Sequence, residues 1–323
     1  MSHILTTDTL SPEQVAAVLA LAEAVRDADG VAALSEQTLL RVRHGARGRG
    51  RFHLAYVDAE QGRVLAGCAF AEVSPGEPDS AEVAVAPQWR RHGLGRRLLD
   101  ELWAHADARG LRVWAHGDLA PARALAASAG LQRMRALWKM RLPLRGTDSA
   151  PAATLPEPAL RPEVAQQVEI RTFRVGVDEQ EWLRTNARAF ADHPEQGALT
   201  LEDLQQREQE PWFDPEGFFV AVDRGSGRIA GFHWTKVHDD GAGLTDGEPV
   251  GEVYVVGVDP DWQGSGLGRV LTLRGLHHLR DRGLPWVLLY VDEENRPAVQ
   301  LYRSLGFELW ESDVMYGRVP EER

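Results

Sequence analysis

The sequence predicts an α/β protein of the α+β kind: two tandem copies of one domain, each a mixed, mostly antiparallel central sheet flanked by helices. Three observations carry this. Displacing the chain by 173 residues lays Val83, Val85, Pro87 and Trp89 on Val256, Val258, Pro260 and Trp262, and Gly93-Leu94-Gly95-Arg96 on Gly266-Leu267-Gly268-Arg269. The match runs on without a gap to His105 on His278 and to Arg109-Gly110-Leu111 on Arg282-Gly283-Leu284. Two copies are too few for a solenoid, so a tandem duplication is the economical reading. Next, each copy places a hairpin-like strand pair ahead of a strand, a glycine-rich loop, a helix and a further strand. Finally, residues 146–167, "GTDSAPAATLPEPALRPEVAQQ", are rich in proline and alanine and contain no aromatic residue, as a linker would. The expected division is therefore 1–145, 146–167 and 168–323.

The elements follow in order. Ser11-Pro12-Glu13-Gln14 is a capping-box start for the amphipathic helix "PEQVAAVLALAEAVRDA". "FHLAYVDAEQGRVLAGCAFAEV" and its counterpart "GFFVAVDRGSGRIAGFHWTKVH" each break two β-rich runs with a glycine-containing turn, which predicts hairpins. "AEVAVAP" and "GEVYVVGVDP" are strands leading into the glycine loops, and the loops open onto helices. "LRVWAHG" and "PWVLLYVD" are buried strands, each followed by a short helix that stops at Gly130 or Gly306.

Bulk composition narrows the function. Hydrophobic residues make up 43% and charged residues 26% of 323, which is globular composition. No apolar run approaches a membrane span of about 20 residues, and "MSHILTTDTLSPEQ" lacks the basic start and apolar core of a signal peptide. The formal net charge of −12 disfavours nucleic acid, and local clusters such as Arg90-Arg91-His92 suit a small anion better than a long one. The single cysteine, Cys68, points to a reducing cytoplasm and reads as a small apolar filler of its strand. A cytoplasmic monomer that meets neither membrane nor nucleic acid is expected. No metal is expected either: His277 and His278 are adjacent rather than four apart, and His193 with Glu195 is too sparse. The ten tryptophans lie mostly in apolar strands or helices and read as core packing.

A loop of glycines ahead of a helix lets backbone N–H groups approach an anion, so phosphate is its natural guest. It is not a P-loop, because Arg269-Val270 follows Gly268 where Lys and Ser/Thr are required. It is not a dinucleotide fingerprint, since neither copy has the Gly-x-Gly-x-x-Gly spacing after a first strand. Gln263-x-x-Gly266-x-Gly268, with Arg90-x-x-Gly93-x-Gly95 in the first copy, resembles the pyrophosphate loop of the GNAT acetyltransferases. The Val-rich strand before it, "V-x-P-x-W", and the terminal "LYRSLGF" strengthen that resemblance, which covers both copies.

What the resemblance implies is acetyl-CoA in a V-shaped opening between the fourth and fifth strands. In the second copy its site comprises Val256, Gly257 and Val258 along the strand, then Gln263, Gly264, Ser265, Gly266, Leu267, Gly268 and Arg269 on the loop. The start of the last helix, Asn295, Arg296, Pro297, Ala298, Val299 and Gln300, joins this set. In the first copy the set is Val83, Ala84 and Val85 with Arg91, His92, Gly93, Leu94, Gly95 and Arg96. Acetyl transfer needs a deprotonated amine, a polarised thioester carbonyl and a proton for the leaving thiolate. Glu252 is the candidate base, the Val258 N–H the candidate polariser and Tyr302 the candidate acid; alternation sets Glu252 on one face with Tyr254 and Val256 if the strand is regular. The first copy carries Asp79, Leu119 and Ala126 in place of Glu252, Asn295 and Tyr302, so it is expected to bind acetyl-CoA without transferring from it.

Several phrases lie outside the general pattern: "LSEQTLLRVRHG", "FADHPEQG", "GFHWTKVH", "LYVDEENRPAVQLYRSLGF" and "DVMY". They resemble a tandem-domain branch of the family that acetylates the cysteinyl amine of a glucosaminyl-inositol precursor. That likeness assigns substrate contacts to Glu36, Glu195, Lys236, Glu252 and Tyr290, a mix of carboxylates and one Lys that suits hydroxyls and an ammonium. Two other readings stand beside it: a tandem GNAT enzyme with a different amine acceptor, and a non-catalytic acyl-CoA sensor.

Overall fold

The computed structural model describes residues 2–46, 48–60, 62–73, 78–106, 109–146, 151–191, 194–245 and 247–318. The chain runs β1 (Ser2–Thr7), α1 (Pro12–Asp29), α2 (Glu36–His44), β2 (Gly50–Ala59), β3 (Gly62–Glu72), β4 (Asp79–Val85), α3 (Leu94–His105), β5 (Leu111–Ala115), α4 (Ala120–Ser128) and β6 (Gln132–Pro143). It continues with α5 (Pro162–Gln167), β7 (Val168–Thr172), α6 (Glu179–Ala189), α7 (Pro194–Gly197), α8 (Leu201–Glu208), β8 (Phe218–Asp223), β9 (Ile229–His238), β10 (Val250–Val258), α9 (Leu267–Asp281), β11 (Trp286–Asp292), α10 (Arg296–Ser304) and β12 (Glu308–Gly317). The capping box at Ser11 is formed, with Gln14 N–H donating to the Ser11 hydroxyl and the Gln14 side chain accepting from Ser11 N–H. No helix among the described residues is long and apolar enough to cross a membrane.

Two compact units result: residues 1–137 with 311–323, and residues 138–310. The division does not fall in the proline-rich stretch. In the second unit Leu155 is buried in the same apolar cluster as Leu142, Leu276 and Leu289, and Ala153 N–H donates to Pro143 C=O. Residues expected to be a tether are thus partly packed, because an apolar side chain among the prolines finds a core to enter. The C-terminal segment, in turn, serves the first unit: Val314 to Gly317 of β12 pair antiparallel with Ala115 to Arg112 of β5.

In the first unit the strand order is β1-β2-β3-β4-β5-β12, antiparallel up to β4 and parallel between β4 and β5. One face packs on α1 through Val18, Leu21, Phe52 and Phe70; the other packs on α3 through Leu94, Leu98, Leu102 and Ala69. In the second unit the order is β6-β11-β10-β9-β8-β7, with β10 and β11 parallel and β7 to β10 antiparallel. Its cores are an aromatic cluster under α6 and α8, where Trp182, Phe218 and Trp234 interlock, and an aliphatic one under α9 and α10.

Candidate active site

The parallel step opens in both units. In the second, β10 pairs with β11 only from Gly251 to Val253, while its partnership with β9 continues to Val258. Asp259 N–H donates to Ala230 C=O at 2.9 Å, so that pair is a hydrogen-bonded one. Antiparallel alternation then turns the N–H and C=O of Val258 and Val256 away from β9 and into the opening. The first unit repeats this: β4 meets β5 only from Asp79 to Glu82, and Ala86 N–H donates to Ala66 C=O.

At the end of β10 the glycine loop turns into α9. Gly264 and Gly266 take φ of +74° and +86°, the left-handed region that a side chain resists. Among the described residues, the amides of Gly264, Gly266, Gly268 and Arg269 have no hydrogen-bond partner, which leaves an anion-sized group of donors at a helix N-terminus. Arg161, from the stretch expected to be linker, holds the loop by donating to Ser265 C=O at 3.0 Å and Gly264 C=O at 3.1 Å. The donor set therefore fits a pyrophosphate. Arg269 donates to the Ser304 hydroxyl at 2.8 Å, tying α9 to α10.

β10 is not regular. A bulge lies between Val253 and Val255, so Tyr254 and Val255 both enter the aromatic cluster whereas Val253 and Val256 face the aliphatic one. The expected alignment of Glu252 with Tyr254 and Val256 on one face is corrected accordingly: an extra residue in one strand reverses the alternation beyond it, and Val256 changes sides. Lys236 is the cross-strand partner of Glu252, so the longer sequence between the two strands leaves that register undisturbed.

Glu252 is buried, and its Oε2 lies 2.6 Å from His238 Nε2. Burial raises the carboxyl, but the hydrogen bond and charge of His238, with the charges of Lys236 and Lys139, outweigh it and hold Glu252 below the usual carboxylate range. The carboxylate therefore accepts and the imidazole N–H donates. The ammonium of Lys236 rests 4.3 Å from the Trp212 ring centre and 5.3 Å from that of Tyr254. Arg207 Nε donates to the Tyr254 hydroxyl at 2.9 Å. Lys139 lies 4.1 Å from the Trp310 ring centre and 5.8 Å from that of Tyr290, itself 41% exposed on β11.

Tyr302 sits on α10, packed against Phe307 and 8% exposed; burial alone pushes its phenol up to about 12. At neutral pH it is a proton donor, not a phenolate. Asn295 is the N-cap of α10, its side-chain oxygen accepting from Ala298 N–H at 3.2 Å. The matched helix α4 has Leu119 at its N-cap with no side-chain cap, and Ala126 at the tyrosine's place.

The first unit fills its splay point differently. Glu82, the last β4 residue paired with β5, accepts from the His116 ring at 3.0 Å, and the opposite ring nitrogen lies 3.0 Å from Asp313. Glu82 also accepts from Ser35 N–H and Asp313 from Gly117 N–H. Burial works against a charged imidazole here, yet its two carboxylate partners push His116 up to about 10, so it is a cation clamped between anions. The loop backbone nonetheless matches the second unit's: Arg91 takes φ 66° where Gly264 takes 74°. Arg90 does not face the loop; it forks onto Asp29 at 2.7 and 2.8 Å.

Of the residues assigned to substrate, Lys236, Glu252 and Tyr290 stand together in the second unit. Glu36 is the first residue of α2 in the first unit, and the side chain of Glu195 lies outside the described residues, as does His193. Four partners were not singled out from the sequence: His238, Lys139, Trp212 and Trp310. The tryptophans read as core; these two instead support ammonium groups. The one local signal for any of them is the position of His238, two residues beyond Lys236 on the second strand of the predicted hairpin.

Residues 180–307 match the model described as the Acetyltransferase (GNAT) family, and residues 48–130 that of the Acetyltransferase (GNAT) domain. The chain is an acetyltransferase with two GNAT domains. A tandem GNAT protein from the clavulanic acid biosynthesis pathway shares the fold over all of both chains, at a TM-score of 0.65 and 19% identity. The chain is 61% identical to a mycothiol acetyltransferase of Nocardiopsis dassonvillei, covering 98% of this chain and 96% of that one. It is 55% identical to a mycothiol acetyltransferase of Thermobispora bispora, covering 95% and 97%. It belongs to the mycothiol acetyltransferase family.

Proposed function

We propose that the second unit transfers the acetyl group of acetyl-CoA to the cysteinyl amine of the glucosaminyl-inositol precursor, releasing mycothiol and CoA. One observation carries the reading: β10 bears an ionised, buried carboxylate at Glu252 and, beyond its bulge, the amides of Val256 and Val258 turned into the opening. Acetyl-CoA supplies the activated acyl group as a thioester. The free amides of Gly264, Gly266, Gly268 and Arg269 hold its pyrophosphate, and the edge of Val256 to Val258 aligns its pantetheine. Glu252, its rotamer fixed by His238, takes a proton from the substrate ammonium through water. The amine nitrogen forms the new C–N bond, the Val258 N–H stabilises the carbonyl oxygen, and the C–S bond breaks. Tyr302 gives its proton to the departing thiolate, and the surplus proton of the acylated nitrogen restores the Tyr302 phenol, so the amide keeps one N–H. Lys236 and Tyr290 line the acceptor's approach. The first unit binds acetyl-CoA on its matching loop and does not transfer, because Ala126 offers no proton and the His116 clamp occupies its splay point. The enzyme acts as a cytoplasmic monomer on a small molecule.

The test is CoA release by the full chain with acetyl-CoA and the cysteinyl-glucosaminyl-inositol amine, set against cysteine and glucosamine. Release confined to the full precursor supports the reading. Equal release with a simple amine points to another acceptor, and binding of acetyl-CoA without release to any amine points to a sensor.

A further inference from the structure

On the α3 side of the first unit's sheet, away from the glycine loop, three side chains converge. His53 on β2 is completely buried. One ring nitrogen, Nδ1, meets the Thr6 hydroxyl at 3.0 Å; the other, Nε2, is buried with no hydrogen-bond partner. A buried polar atom left unsatisfied is destabilising, so it calls for a partner. His105, the last residue of α3, lies with its ring centre 5.3 Å from that of His53. Its Nδ1 bonds to the Glu101 carbonyl at 2.9 Å, which leaves its Nε2 lone pair available. Glu101 is one helical turn before His105, on the same face of α3.

We infer that His53, Glu101 and His105 form a binding site for a divalent transition-metal ion, Zn2+ or one of similar softness. One ligand atom from each residue lies within 4.8 Å of the others. A tetrahedral site with bonds of about 2.0 Å wants them about 3.3 Å apart. His53 is fixed, whereas the side chains of Glu101 and His105 are about two-fifths exposed and can turn to close that gap. The Thr6 contact does for His53 what an outer hydrogen bond does for a ligating imidazole: it fixes ring and tautomer. Three protein ligands leave one position for water. Arg51 opposes a cation here and Glu101 compensates it.

The duplicated unit is the internal control. By strand register and helix alignment, His53, Glu101 and His105 correspond to Phe219, Arg274 and His278. There Phe219 packs edge-on to His278 at 5.7 Å, with no carboxylate from the helix and an arginine in its place. Among the described residues this set of three lies in the first unit alone. The sequence reading weighed His277-His278 and His193 with Glu195 and did not single it out, since His53 lies far along the chain from Glu101 and His105.

The experiment is titration of the chelator-treated full chain with Co2+, followed by visible d–d absorption, then displacement by Zn2+. We expect one equivalent bound, lost in His53→Phe, which copies the other unit and keeps the core filled. Glu101→Gln, at a half-exposed position, should weaken uptake at least tenfold without altering the melting curve of the metal-free protein. His277→Ala with His278→Ala should leave it unchanged. No uptake by the wild type, or uptake that survives both His53→Phe and Glu101→Gln, overturns the site and reduces it to adventitious binding by surface histidines.

Discussion

At matched positions the two units bend the backbone alike. Ala86 and Asp259, which precede the two glycine loops, both take φ −54° and ψ 136°, and Gly93 and Gly266 cap α3 and α9 in the left-handed region. The side chains around that shared frame diverge. Asp259 anchors Arg184 and Arg188 of α6, whereas Ala86 anchors nothing comparable; Asn295 caps α10, whereas Leu119 starts α4 without a side-chain cap. Glu252 with His238 and Lys236 stands at one splay point, and the Glu82–His116–Asp313 clamp at the other. The comparison teaches that a loop conformation built from backbone geometry tolerates sequence drift. An arrangement built from single side chains, such as Tyr302 against Ala126, changes with one substitution.

The sharpest way to break that comparison is Glu252→Gln, which removes the proton acceptor without changing shape. We expect kcat/KM for the precursor to fall by about 1,000-fold with acetyl-CoA affinity kept, measured by CoA release and by calorimetry. Tyr302→Phe should lower kcat by about 100-fold and leave acetyl-CoA binding intact; parallel loss of binding and turnover would show that the phenol is only packing.

A smaller effect separates the units by pH. His116 is raised from 6.5 to about 10, so its stabilisation is complete below pH 6.5, is lost progressively as pH rises, and is gone above pH 10. Urea unfolding of the wild type should show that decline between these limits, and His116→Gln should flatten it. The smallest effect lies in the loops. Arg91 is held at φ 66°, so Arg91→Gly should stabilise by about 0.5 kcal/mol, the left-handed penalty less the entropy of glycine. Gly264→Ala should destabilise by about 1 kcal/mol. Opposite signs in thermal melts confirm that the loops share one conformation; equal signs break the equivalence.

Much of this was legible in the sequence, and the reason is local. Glycine spacing, hairpin turns and caps act over a few residues, so the duplicated elements and the loop could be read directly, whereas Glu252 and Tyr302 were named through the family resemblance. What escaped depends on distance. The bulge at Tyr254 carries no glycine to announce it. His238 and Lys139 matter only because strand pairing brings them to Glu252, and the clamp joins residues as remote as Glu82 and Asp313. Leu155 looked like part of a tether because proline-rich composition says nothing of a neighbouring core.

The pairing of Val314–Gly317 with β5 carries a consequence for biosynthesis. A ribosome adds about 5–20 residues per second, and domains ordinarily fold in the order they emerge. Here the first unit's sheet lacks β12, and the His116 clamp lacks Asp313, until the 197 residues that separate His116 from Asp313 have been added. During that interval β5 presents an unpaired edge, the kind of surface to which chaperones and stray strands attach. A nascent chain released early would carry a finished glycine loop on an unfinished sheet.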